Sequence, residues 1–112
     1  MDRIELFQNL ILDFLNNYAK TKAVGYEEVE TQIIADKENH HYQLVDVGWA
    51  GMEFVHHCVF HFDIKDGKIW VQKNDTELLI SDYLIENGVK TNEIVAGLQP
   101  ESMRKFTGFA IK

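Results

Sequence analysis

Five histidines, His40, His41, His56, His57 and His61, the single cysteine Cys58, and the acid Asp63 are the residues here whose types invite chemistry. Histidine and thiolate bind zinc, a histidine beside a carboxylate moves protons, and a lone thiol can be a nucleophile. Their spacing weakens each idea. His57 and His61 would stand together on a helix, but EFVHHCVFHFDIK is strand-like. On a strand, four residues span about 13 Å at roughly 3.3 Å each, too far for one ion with ~2 Å bonds. His56 and Cys58 share a strand face about 7 Å apart, with no further ligands at a recognisable spacing. No metal site, catalytic residue or cofactor is therefore assigned. Cys58 falls in a core-facing row, where it reads as a small buried hydrophobe. His61, Asp63 and Trp70 lie close on the other face. They form either a polar pocket for acid–base work or part of a subunit contact, and the contact is preferred because large apolar and aromatic groups dominate that face.

Composition narrows the function classes. A chain of 112 residues holds one domain and one core. With 46% hydrophobic and 12% aromatic residues and one proline, it is globular rather than disordered. A net charge of -7 repels a phosphate backbone, so direct nucleic-acid binding is not expected. One cysteine permits no intrachain disulfide, and the expected compartment is a reducing cytoplasm. MDRIELFQNLILDF lacks the features of a signal peptide, and no apolar stretch approaches the roughly 20 residues that span a bilayer. GWAG lacks the spacing of a dinucleotide turn or a P-loop.

The elements that must position these groups follow from periodicity. Ile4, Phe7, Leu10, Ile11, Phe14, Leu15 and Tyr18 make one helical face, with Asp2 as N-cap and Glu5 three residues on. Lys20 to Gly25 ends this helix. Four strands are expected, at about Glu28–Ala35, His41–Trp49, Glu53–Lys65 and Lys68–Lys73, joined by turns at DKEN, GWAG and DG. Asp66-Gly67 supplies the two positive φ angles of a type I′ turn. NDTELLISDYLIENG predicts a second helix capped by Asn74 or Asp75, with Glu77 in its first turn and Gly88 at its end. Leu79, Ile80, Tyr83 and Leu84 form its stripe, and Leu78 falls off it. TNEIV and PESMRKF predict two short helical turns before an extended tail. The fold class is α+β: an N-terminal helix, an antiparallel sheet of about four strands in hairpin order, and C-terminal helices packed on one face.

A two-residue turn at Asp66-Gly67 sets Lys65 against Lys68, Ile64 against Ile69, Phe62 against Val71 and His61 against Gln72. Alternation then gives a core face of Phe54, Cys58, Phe60, Phe62, Ile64, Ile69 and Val71. The opposite face carries Val55, His57, Val59, His61, Asp63, Trp70 and Gln72, joined by Tyr42 and Leu44 if the GWAG turn closes symmetrically. These nine residues are the candidate interface.

HYQLVDVGW at His41–Trp49, HFDIKDGKIWVQ at His61–Gln72, and Thr76-Glu77 closely resemble the XisI family, the fdxN element excision controlling factors of cyanobacteria. NNYAK, ENGV, EIVAGLQP and RKFTGFA extend the resemblance over nearly the whole chain, and Lys90-Thr91 stands where family members often carry a proline. The resemblance implies a non-enzymatic accessory factor in programmed excision of a DNA element during heterocyst differentiation, beside a separate recombinase. It implies a XisH-like protein partner, XisH being similar to restriction-type nucleases, and it carries over no catalytic residue. A homo-oligomer, such as a dimer, is expected from the mixed face. The alternative is a small ligand-binding module or enzyme with a pocket around His61, Asp63 and Trp70.

Overall fold

A computed structural model describes residues 2–21 and 25–112. Helix α1 (Arg3–Ala19) begins as its sequence predicts: the Asp2 carboxylate accepts from the Glu5 backbone N–H at 2.8 Å. The expected loop from Lys20 to Gly25 falls partly on residues 22–24, outside the described residues. Five strands follow, β1 (Glu30–Asp36), β2 (His41–Ala50), β3 (Glu53–Lys65), β4 (Lys68–Asn74) and β5 (Ile94–Val95). They form one sheet in the order β1-β2-β3-β4-β5, antiparallel except for the parallel β4–β5 pair. The fold is α+β, as expected. The fifth strand was not foreseen, because two residues carry no readable alternation.

One face of the sheet is buried under α1 and α2 (Ile80–Glu86). Phe7, Leu10, Ile11 and Leu15 of α1 and Ile80 and Leu84 of α2 join Phe60, Phe62, Ile64, Ile69 and Val71 in one core. Phe14 and Tyr18 meet the Phe60 ring edge-on, at 5.1 and 4.9 Å between centroids, a favoured aromatic geometry. The Tyr83 hydroxyl donates to the Leu10 carbonyl at 3.0 Å and ties the two helices.

α2 starts later than predicted. Asn74 ends β4, and its side chain organises a turn by accepting from the Thr76 N–H and hydroxyl and donating to the Leu78 carbonyl. Neither Asn74, so engaged, nor Asp75, which pairs with His57, caps α2: its N-cap is the exposed Leu79, with no side-chain cap bond, and Glu77 stays outside the helix. A 3-10 turn at Thr91–Glu93 follows, and Glu93 binds the Arg3 guanidinium and the Lys90 N–H, pinning α1's first turn to this connection. Helix α3 (Glu101–Arg104) buries none of its residues.

Two extra residues set the faces of the sheet. At the Asp66-Gly67 turn φ is 54° and 73°, and Lys65–Lys68, Ile64–Ile69 and Phe62–Val71 pair as predicted. Gln72 is then unpaired, so His61 stands opposite Lys73 and not Gln72. Between β2 and β3 the turn lies at Gly51-Met52, later than the symmetric GWAG closure, and Val59 is an extra residue: Val45 pairs with Cys58, but Leu44 pairs with Phe60. A bulge of this kind exchanges the two sides of a strand beyond it.

The consequences correct several expectations. Tyr42 and Leu44, placed on the outer face by the symmetric turn, are fully buried in the core. Val59 is buried there too. Alternation along β2 puts Asp46 and Gly48 on the face of Leu44, and brings their partners His57 and Val55 with them. Phe54 and Cys58, expected in the core row, pass to the outer face with Trp49 and Val45. Gly48 itself has φ 142°, and a Cβ there would lie 3.0 Å from the Glu28 carbonyl oxygen, where the chain enters β1. The VGW motif thus owes its glycine to close backbone approach.

Candidate functional site: a histidine–carboxylate cluster on the open sheet face

Among the described residues, no helix covers most of the face away from α1 and α2, and Ile34, Trp49 and Phe54 stand exposed on it. Trp49 and Phe54 pack edge to face across the β2–β3 pair, with centroids 5.1 Å apart. At the β4 end, the Trp70 ring is buried under Lys65 Nζ at 4.3 Å and the Arg104 guanidinium at 5.1 Å from its centroid. Arg104 comes from α3, so this helix reaches the outer side of the sheet.

Between these two regions, Asp63 is the hub of a polar cluster. The β2–β3 register sets His41 opposite Asp63, and His61 lies two residues along the same strand face. Asp63 Oδ1 is 2.8 Å from His41 Nδ1 and 2.8 Å from His61 Nε2. Its other oxygen accepts from Gln72 Nε2 at 3.2 Å, and Gln43 Nε2 lies 3.4 Å from His61 Nδ1. The Gln72 bulge therefore serves the site, freeing a side chain to reach across to Asp63.

Burial deepens inward: the side chains of His41, His61 and Asp63 are 57%, 28% and 15% exposed. Desolvation pulls the Asp63 carboxyl upward in pKa, but hydrogen bonds from His41, His61 and Gln72 outweigh it and hold the group below the usual value. The hydrogen bond to Asp63 raises the His41 imidazole above its ordinary value, against a smaller opposing desolvation. The site is thus an anion shared by two imidazoles.

Of the residues read from sequence as a pocket, His61 and Asp63 meet, and Trp70 does not bond to them. Its indole Nε1 is buried without a hydrogen-bond partner. Gln72 joins the cluster. His41 was missed as a member: its signal was the pairing with Asp63, which needs the Val59 bulge to be seen. Cys58 is no better a nucleophile than expected, because burial pushes its thiol pKa up, and the thiol donates to the Phe60 carbonyl at 3.2 Å. His57 sits apart, paired with Asp75 at 2.7 Å. Among the described residues, His41, His61 and Asp63 each bring one potential ligand atom to within 4.8 Å of the others.

Comparison with known proteins places this architecture. No curated protein matches the chain. A solved XisI-like protein from Anabaena variabilis ATCC 29413 is 41% identical, with a TM-score of 0.89 over 97% of this chain and 99% of the other. The fdxN element excision controlling factor XisI from the same organism is 27% identical, with a TM-score of 0.85 over 99% and 100%. A family model described as XisI protein matches residues 1–111, and the chain therefore belongs to the XisI family.

Proposed function

We propose that this chain is a non-enzymatic accessory factor in the controlled excision of a DNA element, and that it acts by binding a protein partner on the open face of its sheet. The observation that carries this reading is the likeness along 99% of the chain to an excision controlling factor. The exposed, mutually packed Trp49 and Phe54, with the exposed Ile34 farther along the same face, support a protein contact, since exposed aromatic groups of this kind are enriched at interaction surfaces. The charge of -7 supports action through a partner rather than by gripping DNA.

The proposed partner is a XisH-like protein, with self-association on the same face in its absence, in the cytoplasm. From the candidate interface, His61, Asp63, Trp70 and Gln72 lie on this face; Tyr42, Leu44, Val55, His57 and Val59 leave it, and Trp49, Phe54 and His41 join it. Size-exclusion chromatography tests the reading: co-elution with a XisH-like protein from the same genome is expected. A chain that stays monomeric at micromolar concentration, with and without that protein, contradicts it.

The alternative, a small ligand-binding module or enzyme around His61, Asp63 and Trp70, draws on one observation, the convergence of His41 and His61 on Asp63. Its next step is a ligand that those three groups recognise.

A further inference from the structure

We propose that His41 Nδ1, His61 Nε2 and Asp63 Oδ1 bind a divalent transition metal of the zinc class on the outer face of the sheet. Two imidazole nitrogens and one carboxylate oxygen suit zinc, cobalt or nickel rather than calcium or magnesium, which take oxygen ligands. The three atoms already lie within 4.8 Å of one another, and the two N–O separations are 2.8 Å. Tetrahedral coordination with bonds of about 2.0–2.1 Å sets ligand atoms roughly 3.3 Å apart. Opening each hydrogen-bonded edge by about 0.5 Å and bringing the two imidazole nitrogens, which lie within 4.8 Å of each other, to a similar spacing gives the ion its place.

The surroundings have the arrangement that metal sites need. Gln72 holds the second Asp63 oxygen, leaving Oδ1 for the ion, and Gln43 stands at the second nitrogen of His61. Such outer partners orient ligands and fix tautomers. Coordination at Nε2 puts the His61 proton on Nδ1, and a turn of the Gln43 amide presents its oxygen to that proton. His41 likewise carries its proton on Nε2, and an imidazole that was charged releases its extra proton to solvent. The ion pairs of Asp63 are to these two histidines, and no lysine or arginine among the described residues competes for it. Exposure of His41 gives an entry path, and water takes the fourth position.

This site does not depend on the partner reading, and its test needs no partner. The full chain, stripped with chelator, is titrated with Zn2+ by calorimetry and with Co2+ by visible absorption. One ion per chain is expected, with a Co2+ spectrum of low-symmetry nitrogen and oxygen ligation. His41→Ala and Asp63→Asn each weaken Zn2+ binding by at least about tenfold. His56→Ala and His57→Ala leave it unchanged. Circular dichroism confirms that His41→Ala, a change at an exposed side chain, stays folded. Absence of stoichiometric binding overturns the proposal, as does binding that survives unchanged in both His41→Ala and Asp63→Asn.

Discussion

His41 and Asp63 face one another across β2 and β3, with Nδ1 and Oδ1 2.8 Å apart. The relationship predicts a titration. Folding raises His41 above 6.5, so its contribution to stability is complete below that value and is lost as pH rises through the folded pKa. Folding lowers Asp63 below 3.8, so its contribution is present above that value and is lost as pH falls through the folded pKa. The pair is therefore intact in the mildly acidic range between them. In metal-free protein, NMR titration should find His41 above its ordinary pKa in the native chain and closer to it in Asp63→Asn. An unchanged His41 midpoint in that variant speaks against the pairing.

The register around Val59 predicts a contrast between two apolar truncations. Leu44 is fully buried opposite Phe60, so Leu44→Ala should cost about 2–5 kcal/mol. Phe54 is half exposed and keeps one aromatic contact, to Trp49, so Phe54→Ala should cost no more than about 1.5 kcal/mol. Chemical denaturation measures both. The uninterrupted register predicts the reverse order, so an exchange of the two magnitudes rules out the bulge.

Gly48→Ala probes the entry to β1. Its φ of 142° and the 3.0 Å approach of a Cβ to the Glu28 carbonyl, with Val29 Cα at 3.2 Å, leave no room that a side-chain rotation can create. A loss of about 1–3 kcal/mol is expected. Gly51→Ala also sits at a positive φ, 63°, in the milder αL region, and meets nothing within 4 Å. Thermal melts should show the larger drop for Gly48→Ala, and equal melting temperatures for the two variants contradict the close approach.

The sequence carried the architecture further than it carried the site. α1 was legible in its cap and apolar stripe, and the β3–β4 hairpin in its Asp-Gly turn, because both are written in local chemistry. Phe60 and Phe62 point into the core as the alternation requires. What failed was non-local. The extra residue at Val59 has no composition of its own, yet it sends Tyr42 and Leu44 inward and carries Phe54 and Cys58 out. The same slip hid His41, since the His41–Asp63 pairing exists only in the bulged register. Asn74 misled for another reason: one side chain suits a helix cap and a tight turn equally, and tertiary placement at the end of β4 chose the turn.

Docking of a protein partner on the open sheet face is the proposal that most needs a direct test. Its most direct measurement is the affinity of a XisH-like protein for Trp49→Ala/Phe54→Ala, beside Asp13→Ala/Asn17→Ala on the exposed side of α1. A loss of at least about tenfold for the sheet-face variant, with native affinity for the helix variant, is the predicted result, because aromatic anchors carry a large share of interface energy. Native affinity for the sheet-face variant, or a loss confined to the helix variant, contradicts the account.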